Sequence, residues 1–478
     1  MANTLQSKGQ LDLAVRLYEK AAQSEHRISG FEGELLKLYL ENGEIEKVFP
    51  IYYKLYPYQT GIDRDIKSRL VLLIEKDERN KEKIRKSVKK LIDKDPAHKE
   101  TYASILSWIN QLDGQYDGAL EELIRLDKKE KGSMTKDIYE LAEQALENRR
   151  FSIANQAFGY ILNGPKEDPY YAIAERRIIR SHYVQLVTTR PVDPKMVDTT
   201  RNLMLRFFQM QPDKMTDIEY LWYMDVIGKY ARQPRVAISL LDSVLQQARL
   251  SKEYIGMAKL ALGDYQLLAG DVWDANLTYA QVDKLYRQDM MGEEARFKQA
   301  KLAFYRGDFE WAQNQLKVLK ASTTELISND AMSLSIMITE NTVTDTSAVP
   351  LKMFAQADLM IFQYQFPVAD SILNELIKDY PESDLIDDVY MLKARMARDE
   401  GRFNEAVAYF EKVIQEYKDG VLADDALMQC AEIYEIHLAD KDKAIQYYED
   451  LILNMPSSTL STLARAKLTE LQKQAAKP

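Results

Sequence analysis

Gly307-Asp308-Phe309-Glu310-Trp311-Ala312 is the stretch from which the fold follows. A glycine lets one helix stop and the chain reverse. An apolar side chain comes two residues later, and a small residue three after that. The same order recurs in Gly401-Arg402-Phe403-Asn404-Glu405-Ala406 and in Gly270-Asp271-Val272-Trp273-Asp274-Ala275. It recurs again in Gly114-Gln115-Tyr116-Asp117-Gly118-Ala119 and in Gly9-Gln10-Leu11-Asp12-Leu13-Ala14. Looser copies lead to Val48, Ala154, Ala237, Ala369 and Ala444. Ile84 and Thr200, placed by their distance from Pro96 and Pro212, complete twelve anchors. Successive anchors lie 34, 36, 35, 35, 46, 37, 38, 37, 57, 37 and 38 residues apart. A period in this range marks stacked helical units.

Each anchor is expected where two antiparallel helices cross most closely. A larger apolar residue follows four positions on: Tyr18, Tyr52, Phe158, Tyr279, Leu316, Phe410 and Tyr448. Three further come Ala21, Leu55, Ile161, Val282, Leu319, Val413 and Leu451. That spacing is one face of an α-helix. Pro96, Pro212, Pro381 and Pro456 punctuate the ends of second helices. Twelve residues before an anchor, the first helix should carry its own small residue. Ser107, Ala142, Gly263, Ala300, Ala357 and Ala394 satisfy this, and Ala431 does so with one extra turn residue. Leu36, Leu72 and Asp225 do not, which marks divergent units.

Small pairs, turn glycine, aromatic and terminal proline at this spacing resemble the tetratricopeptide repeat along essentially the whole chain. The resemblance implies an all-α, right-handed superhelical solenoid of about twelve hairpins. The junctions Tyr380-Pro381-Glu382-Ser383, Tyr417-Lys418-Asp419-Gly420 and Met455-Pro456-Ser457-Ser458 resemble those of bacterial cell-envelope repeat proteins, of Bacteroidetes type. The second and third depart from Tyr-Pro-x-Ser.

Two spacings are long. Thr188-Thr189-Arg190-Pro191-Val192-Asp193-Pro194 lengthens one turn. Between Thr323 and Pro350 an additional helix is expected, opened by the capping-box sequence Ser322-Thr323-Thr324-Glu325 and running to about Thr339. This divides the chain into an N-terminal solenoid (1–322), an inserted helix and loop (323–350) and C-terminal repeats (351–478). Ahead of Ala14 a first helix has only residues 1–8, so upstream native sequence is expected. Ser457 to Lys473 reads as a capping helix, charged at Arg465, Lys467, Glu470 and Lys473.

The 478 residues are 46% hydrophobic, enough for an extended core, with only 14 Pro and 18 Gly. A net charge of −10 argues against nucleic acid as the main partner, and the basic stretch Lys76–Lys99 is interrupted by acids. The lone Cys430 forms no intramolecular disulfide and is expected as inert packing. No apolar run approaches membrane-spanning length. His26, His98, His182 and His437 lie in four different repeats without metal-ligand spacing, and no phosphate loop or nucleophile elbow occurs. Acids at Asp384, Asp387 and Asp388 suit a helix start. A non-enzymatic protein without cofactor or metal is expected.

What remains is the face of the first helices. Trp222 and Tyr230, Leu260 and Leu268, Phe297 and Tyr305, and Phe354 and Phe362 form an apolar stripe. Asp264, Lys301, Asp358 and Arg395 interrupt it with single charges. Such a stripe suits an amphipathic helix or extended peptide, while the same aromatics also suit packing between neighbouring helices. The chain lacks the Lys/Asn/Arg set of chaperone-tail receptors. The reading is a protein- or peptide-binding scaffold of the cell envelope, periplasmic in location. A cytosolic adaptor taking a peptide or small molecule is the alternative, and a carbohydrate binder the third.

Overall fold

The computed structural model describes residues 11–24, 32–55, 62–129, 132–210, 216–246, 250–287, 289–320, 325–343, 348–418 and 420–475. Among them are twenty-five α-helices and no strand. The expected first helix within 1–8, the Gly9 turn, the Ser322-Thr323-Thr324 cap, His26 and Pro212 lie outside the described residues. So do the side chains of Ala21, Leu55 and Lys473.

The chain divides into two compact units, Met1–Gln185 and Leu186–Pro478. The first contains α1 (Leu11–Ser24), α2 (Glu32–Asn42), α3 (Ile45–Leu55), α4 (Ile62–Lys76), α5 (Asn80–Lys94), α6 (Lys99–Leu112), α7 (Tyr116–Lys129), α8 (Thr135–Glu147) and α9 (Phe151–Leu162). Helix α10 (Tyr171–Thr188) follows. Neighbours α2 and α3, α6 and α7, and α8 and α9 pack as hairpins. The α4–α5 pair is opened, and α5 packs on α3 more than on α4. The reason is legible in α4. Leu72 is exposed, and Ile66, Leu70 and Leu73 form the buried face instead.

The second unit contains α11 (Pro194–Met210), α12 (Asp217–Asp225), α13 (Pro234–Leu245), α14 (Lys252–Leu268), α15 (Val272–Leu285), α16 (Met290–Tyr305), α17 (Phe309–Leu319) and α18 (Glu325–Val343). Then come α19 (Val349–Phe362), α20 (Phe366–Asp379), α21 (Ile386–Asp399), α22 (Phe403–Glu416), α23 (Ala423–Ile436), α24 (Lys441–Asn454) and α25 (Leu460–Ala475). The expected additional helix is α18. It packs on α17, while α16 lies directly against α19, so the stack of first helices passes the insertion unbroken. One hydrophobic core runs from Leu260 to Leu471.

The helix crossings explain this regularity. All twelve anchors, from Ala14 to Ala444, are at most 1% exposed. Their first-helix partners Ala142, Ala300, Ala357, Ala394 and Ala431 are fully buried. Small residues at both contact points let the backbones approach. The large residue four positions later then fills the space beside the crossing: Tyr52, Phe158, Phe410 and Tyr448 are all 0% exposed. Burying one such side chain contributes about 1.5–3 kcal/mol. Helices α5, α20 and α24 end just before Pro96, Pro381 and Pro456, as expected.

A left-handed turn lies five residues before nine of the twelve anchors. Gly43, Gly114, Gly270, Gly307 and Gly401 hold it with φ between 73° and 88°. Arg149, Arg232, Tyr364 and Ala439 hold the same position at φ between 53° and 58°. An L-side chain there carries a steric cost of about 1–2 kcal/mol.

Candidate binding face of the second unit

Helix α12 starts at a capping box. The Thr216 hydroxyl accepts from the Glu219 N–H at 3.4 Å, and the Glu219 carboxylate accepts from the Thr216 N–H at 2.9 Å. Its continuation Val226–Tyr230 is a π-helical turn. Ser251 caps α14 and Asp289 caps α16 through side-chain bonds to Tyr254 and Met291 N–H groups. Helices α12, α14, α16 and α19 lie side by side, so their exposed edges form one face.

A chain of charges crosses that face. Asp225 pairs with Lys229 at 2.8 Å, and Lys229 lies 3.6 Å from Asp264. Asp264 accepts from Lys298 at 2.8 Å and from the Tyr279 hydroxyl at 2.6 Å. Lys298 also lies 3.6 Å from Glu294, and Lys301 pairs with Asp358 at 3.5 Å. Each lysine sits over a tyrosine ring: Lys229 over Tyr265, Lys298 over Tyr279 and Lys301 over Tyr305, at 5.9, 5.9 and 5.5 Å. Burial works against the Asp264 charge, but Lys298 and Lys229 outweigh it and hold the carboxyl below its usual range. Burial opposes the Lys229 charge as well, and Asp225 and Asp264 more than restore it. Burial, then the neighbouring Asp358 charge, pushes the Tyr305 phenol well above its usual value. Its hydroxyl is buried beside that carboxylate.

Two cavities open along this face. One, of about 490 Å³, is lined by Tyr279, Phe297, Lys301, Tyr305, Ile327 and Phe362, among others. The second, of about 1040 Å³, brings the 190–201 segment together with Lys229–Gln233, Leu268, Ile361–Pro367 and Asp399–Glu400. Next to the lining residues Leu268, Phe362 and Tyr364, the Gln363 amide donates to the Leu267 carbonyl at 2.8 Å.

The stripe read from the sequence is thus divided. Phe297, Lys301, Tyr305 and Phe362 meet in the smaller cavity, and Tyr230 and Phe362 line the larger. Asp358 stands at the Lys301 edge. Phe354 is 6% exposed within the hydrophobic core. Tyr305 is 8% exposed and has one edge on the cavity. Trp222 is half-buried and lines neither cavity, and the π-turn after it breaks the α-register that paired it with Tyr230. Arg395 is exposed on α21, where its charge acts on Asp388 and Asp425. Sequence reasoning passed over Arg190, Lys229, Arg232, Lys298 and Tyr364. The signal for two of them was present: Arg232 and Tyr364 stand where the repeat places glycine.

Among the described residues no group of three or more His, Cys, Asp or Glu side chains is placed to hold a metal ion. No helix among them is long and apolar enough to cross a membrane. Cys430 is buried, and burial raises its thiol far above the usual range.

A family model for the tetratricopeptide repeat matches residues 387–419, which spans α21, the turn and α22. With the same hairpin recurring in both units, the chain has a tetratricopeptide-type fold. No curated protein matches it. Among solved structures it is similar to the TPR domain of P58(IPK), at 16% identity over 91% of this chain and 100% of that one, with a TM-score of 0.23. It is similar to the APC/C hetero-tetramer Cut9–Hcn1, at 12% identity over 98% and 95%, with a TM-score of 0.25. It is also similar to a human IFIT1 dimer with m7Gppp-AAAA, at 12% identity over 86% and 94%, with a TM-score of 0.28.

Proposed function

We propose that this protein is a non-enzymatic scaffold for protein–protein interaction, and that the first-helix face of its second unit takes a peptide segment of the partner. The observation that carries this reading is the smaller cavity. Its half-buried Phe297 and Phe362 supply apolar anchors, and Lys301 supplies a polar one. Aromatic anchors in a pocket dominate binding energy, at about 2 kcal/mol or more for each hot spot.

The test is site-specific photo-crosslinking. A crosslinker at Met290, on the cavity rim, should capture the partner, and one at Leu277, exposed on the second helix α15, should not. Phe297→Ala should abolish the Met290 capture with helicity retained. Equal capture from both positions, insensitive to Phe297→Ala, would remove the cavity from the interaction.

The cellular setting belongs to the same proposal. We place the scaffold in the bacterial cell envelope, on the periplasmic side. The support is the likeness of the Tyr380-Pro381-Glu382-Ser383 and Met455-Pro456-Ser457-Ser458 junctions to those of envelope repeat proteins. Fractionation of cells carrying the native gene tests it; recovery in the cytosol alone would refute it.

A further inference from the structure

Arg232 and Tyr364 both occupy left-handed turn positions where the repeat otherwise favours glycine. Strained non-glycine residues cluster at functional sites, held there by the surrounding structure. Arg149 and Ala439 hold the same turn position in other hairpins, so the contact Arg232 and Tyr364 make is what sets these two apart. These two belong to different hairpins, yet the Arg232 guanidinium lies 5.1 Å from the Tyr364 ring centre. The pairing repeats beside them. The Arg190 guanidinium lies 5.9 Å from the Tyr230 ring. All four line the 1040 Å³ cavity, as does Lys229.

The charges around this cavity are unevenly satisfied. Lys229 is held by Asp225 and Asp264, and Arg201 by Asp198 at 2.9 Å. The acids on the rim are engaged as well: Asp399 by Arg398 and Glu400 by Arg402. Arg190 donates to the carbonyls of Leu186, Val187 and Thr189, which carry no full charge. Neither Arg190 nor Arg232 has a carboxylate partner among the described residues. Two guanidinium groups therefore lie over tyrosine rings at a cavity, with donor capacity to spare. In a chain of net charge −10 this is a local reversal of sign. Val197, Leu268, Ile361 and Phe366 add apolar lining around it.

We propose that Arg190 and Arg232, framed by Tyr230 and Tyr364, form a binding site for the acidic side chains of an extended peptide. The proposal rests on the scaffold reading above and names the chemistry of the partner. A planar guanidinium presents paired N–H donors that match a carboxylate. The neighbouring tyrosine rings confine each guanidinium, and the apolar lining receives the intervening side chains. Paired acids on the rim disfavour a ligand charged at every unit, such as a polyphosphate chain.

The experiment uses the full chain and a fluorescein-labelled peptide of alternating glutamate and alanine, acetylated and amidated at its ends. Fluorescence anisotropy should report binding that weakens as salt is raised. The glutamine version of the peptide should bind at least about tenfold more weakly. Arg232→Gly is the informative variant. It restores the glycine of the turn, so the fold should be unchanged or stabilised, and it should weaken the glutamate peptide by at least about tenfold. Arg190→Gln should do the same without relieving any strain. Undiminished binding in both variants overturns the site. So does tighter binding of a uniform single-stranded oligonucleotide, or of a glutamine peptide with a free C-terminus. If the glutamate peptide fails to bind while crosslinking at Met290 persists, this inference falls and the scaffold reading stands.

Discussion

Gly263→Ala sets two opposing effects against each other at one atom. Gly263 lies mid-helix in α14, where replacing glycine by alanine gains about 1 kcal/mol of helix propensity. A Cβ at this position would come within 2.8 and 2.9 Å of Cδ1 and Cζ of Tyr279, and closer still to Cε1. Ordinary contact begins near 3.4 Å, so the ring has to move by more than half an ångström. Tyr279 is only 1% exposed, and its hydroxyl is fixed on Asp264 at 2.6 Å. Overpacking of this kind costs about 1–3 kcal/mol. Weakening a hydrogen bond to a buried carboxylate adds about 1.5–3 kcal/mol. The two overlap, because one ring displacement causes both. The net expectation is a destabilisation of about 2–4 kcal/mol. Urea unfolding followed by far-UV circular dichroism measures it, with Tyr279→Phe as the companion that removes the hydroxyl alone. An unchanged or raised midpoint for Gly263→Ala would refute the reasoning, since propensity would then have beaten packing.

Ala312→Leu and Ala406→Leu place a large side chain at fully buried crossings and should each cost about 1–3 kcal/mol, read as a lowered urea midpoint. Hydrogen exchange should show the damage in the hairpins flanking each site before the rest, because repeats couple chiefly to neighbours. Burial, then the adjacent Asp387 and Glu340, raises the Asp388 carboxyl to about 7 against the opposing Arg395. Its folded value thus lies above its unfolded one, so between about pH 4 and pH 7 the native state keeps a proton that the unfolded chain has lost, and stability falls as pH rises. Asp388→Asn should therefore stabilise the protein at pH 8, on the order of 2 kcal/mol after solvent screening, and change little near pH 4. Matching melting temperatures for the two proteins at pH 8 would refute this.

The repeat was legible in the sequence because each hairpin confines its requirements to a few local positions. A turn residue, a small anchor and a large neighbour suffice, and all twelve anchors prove buried. Where a hairpin uses another face, as α4 does through Ile66, Leu70 and Leu73, the same rule missed it. The binding face was less legible for a geometric reason. Phe297 and Phe362 belong to helices separated by an insertion in the chain, and only the stacking of α16 on α19 makes them neighbours. Periodicity also could not tell Phe354, which packs inward, from Phe362, which meets both cavities. The π-turn at Val226–Tyr230 altered the register that Trp222 and Tyr230 would otherwise share. Charges such as Lys229 and Lys298 are ordinary in sequence and gain meaning only from Asp264 between them.

The left-handed turn makes each hairpin independently addressable. Its residue lies outside the buried crossing, so a side chain can be exchanged there without repacking the core. Glycine leaves the address blank, while Arg232 and Tyr364 fill it at a fixed conformational cost. At Gly270 an added Cβ would meet nothing within 4 Å, so the neighbouring address is open as well. Substitution at these turns therefore changes the surface one hairpin at a time, while the alanines at the buried crossings stay as they are.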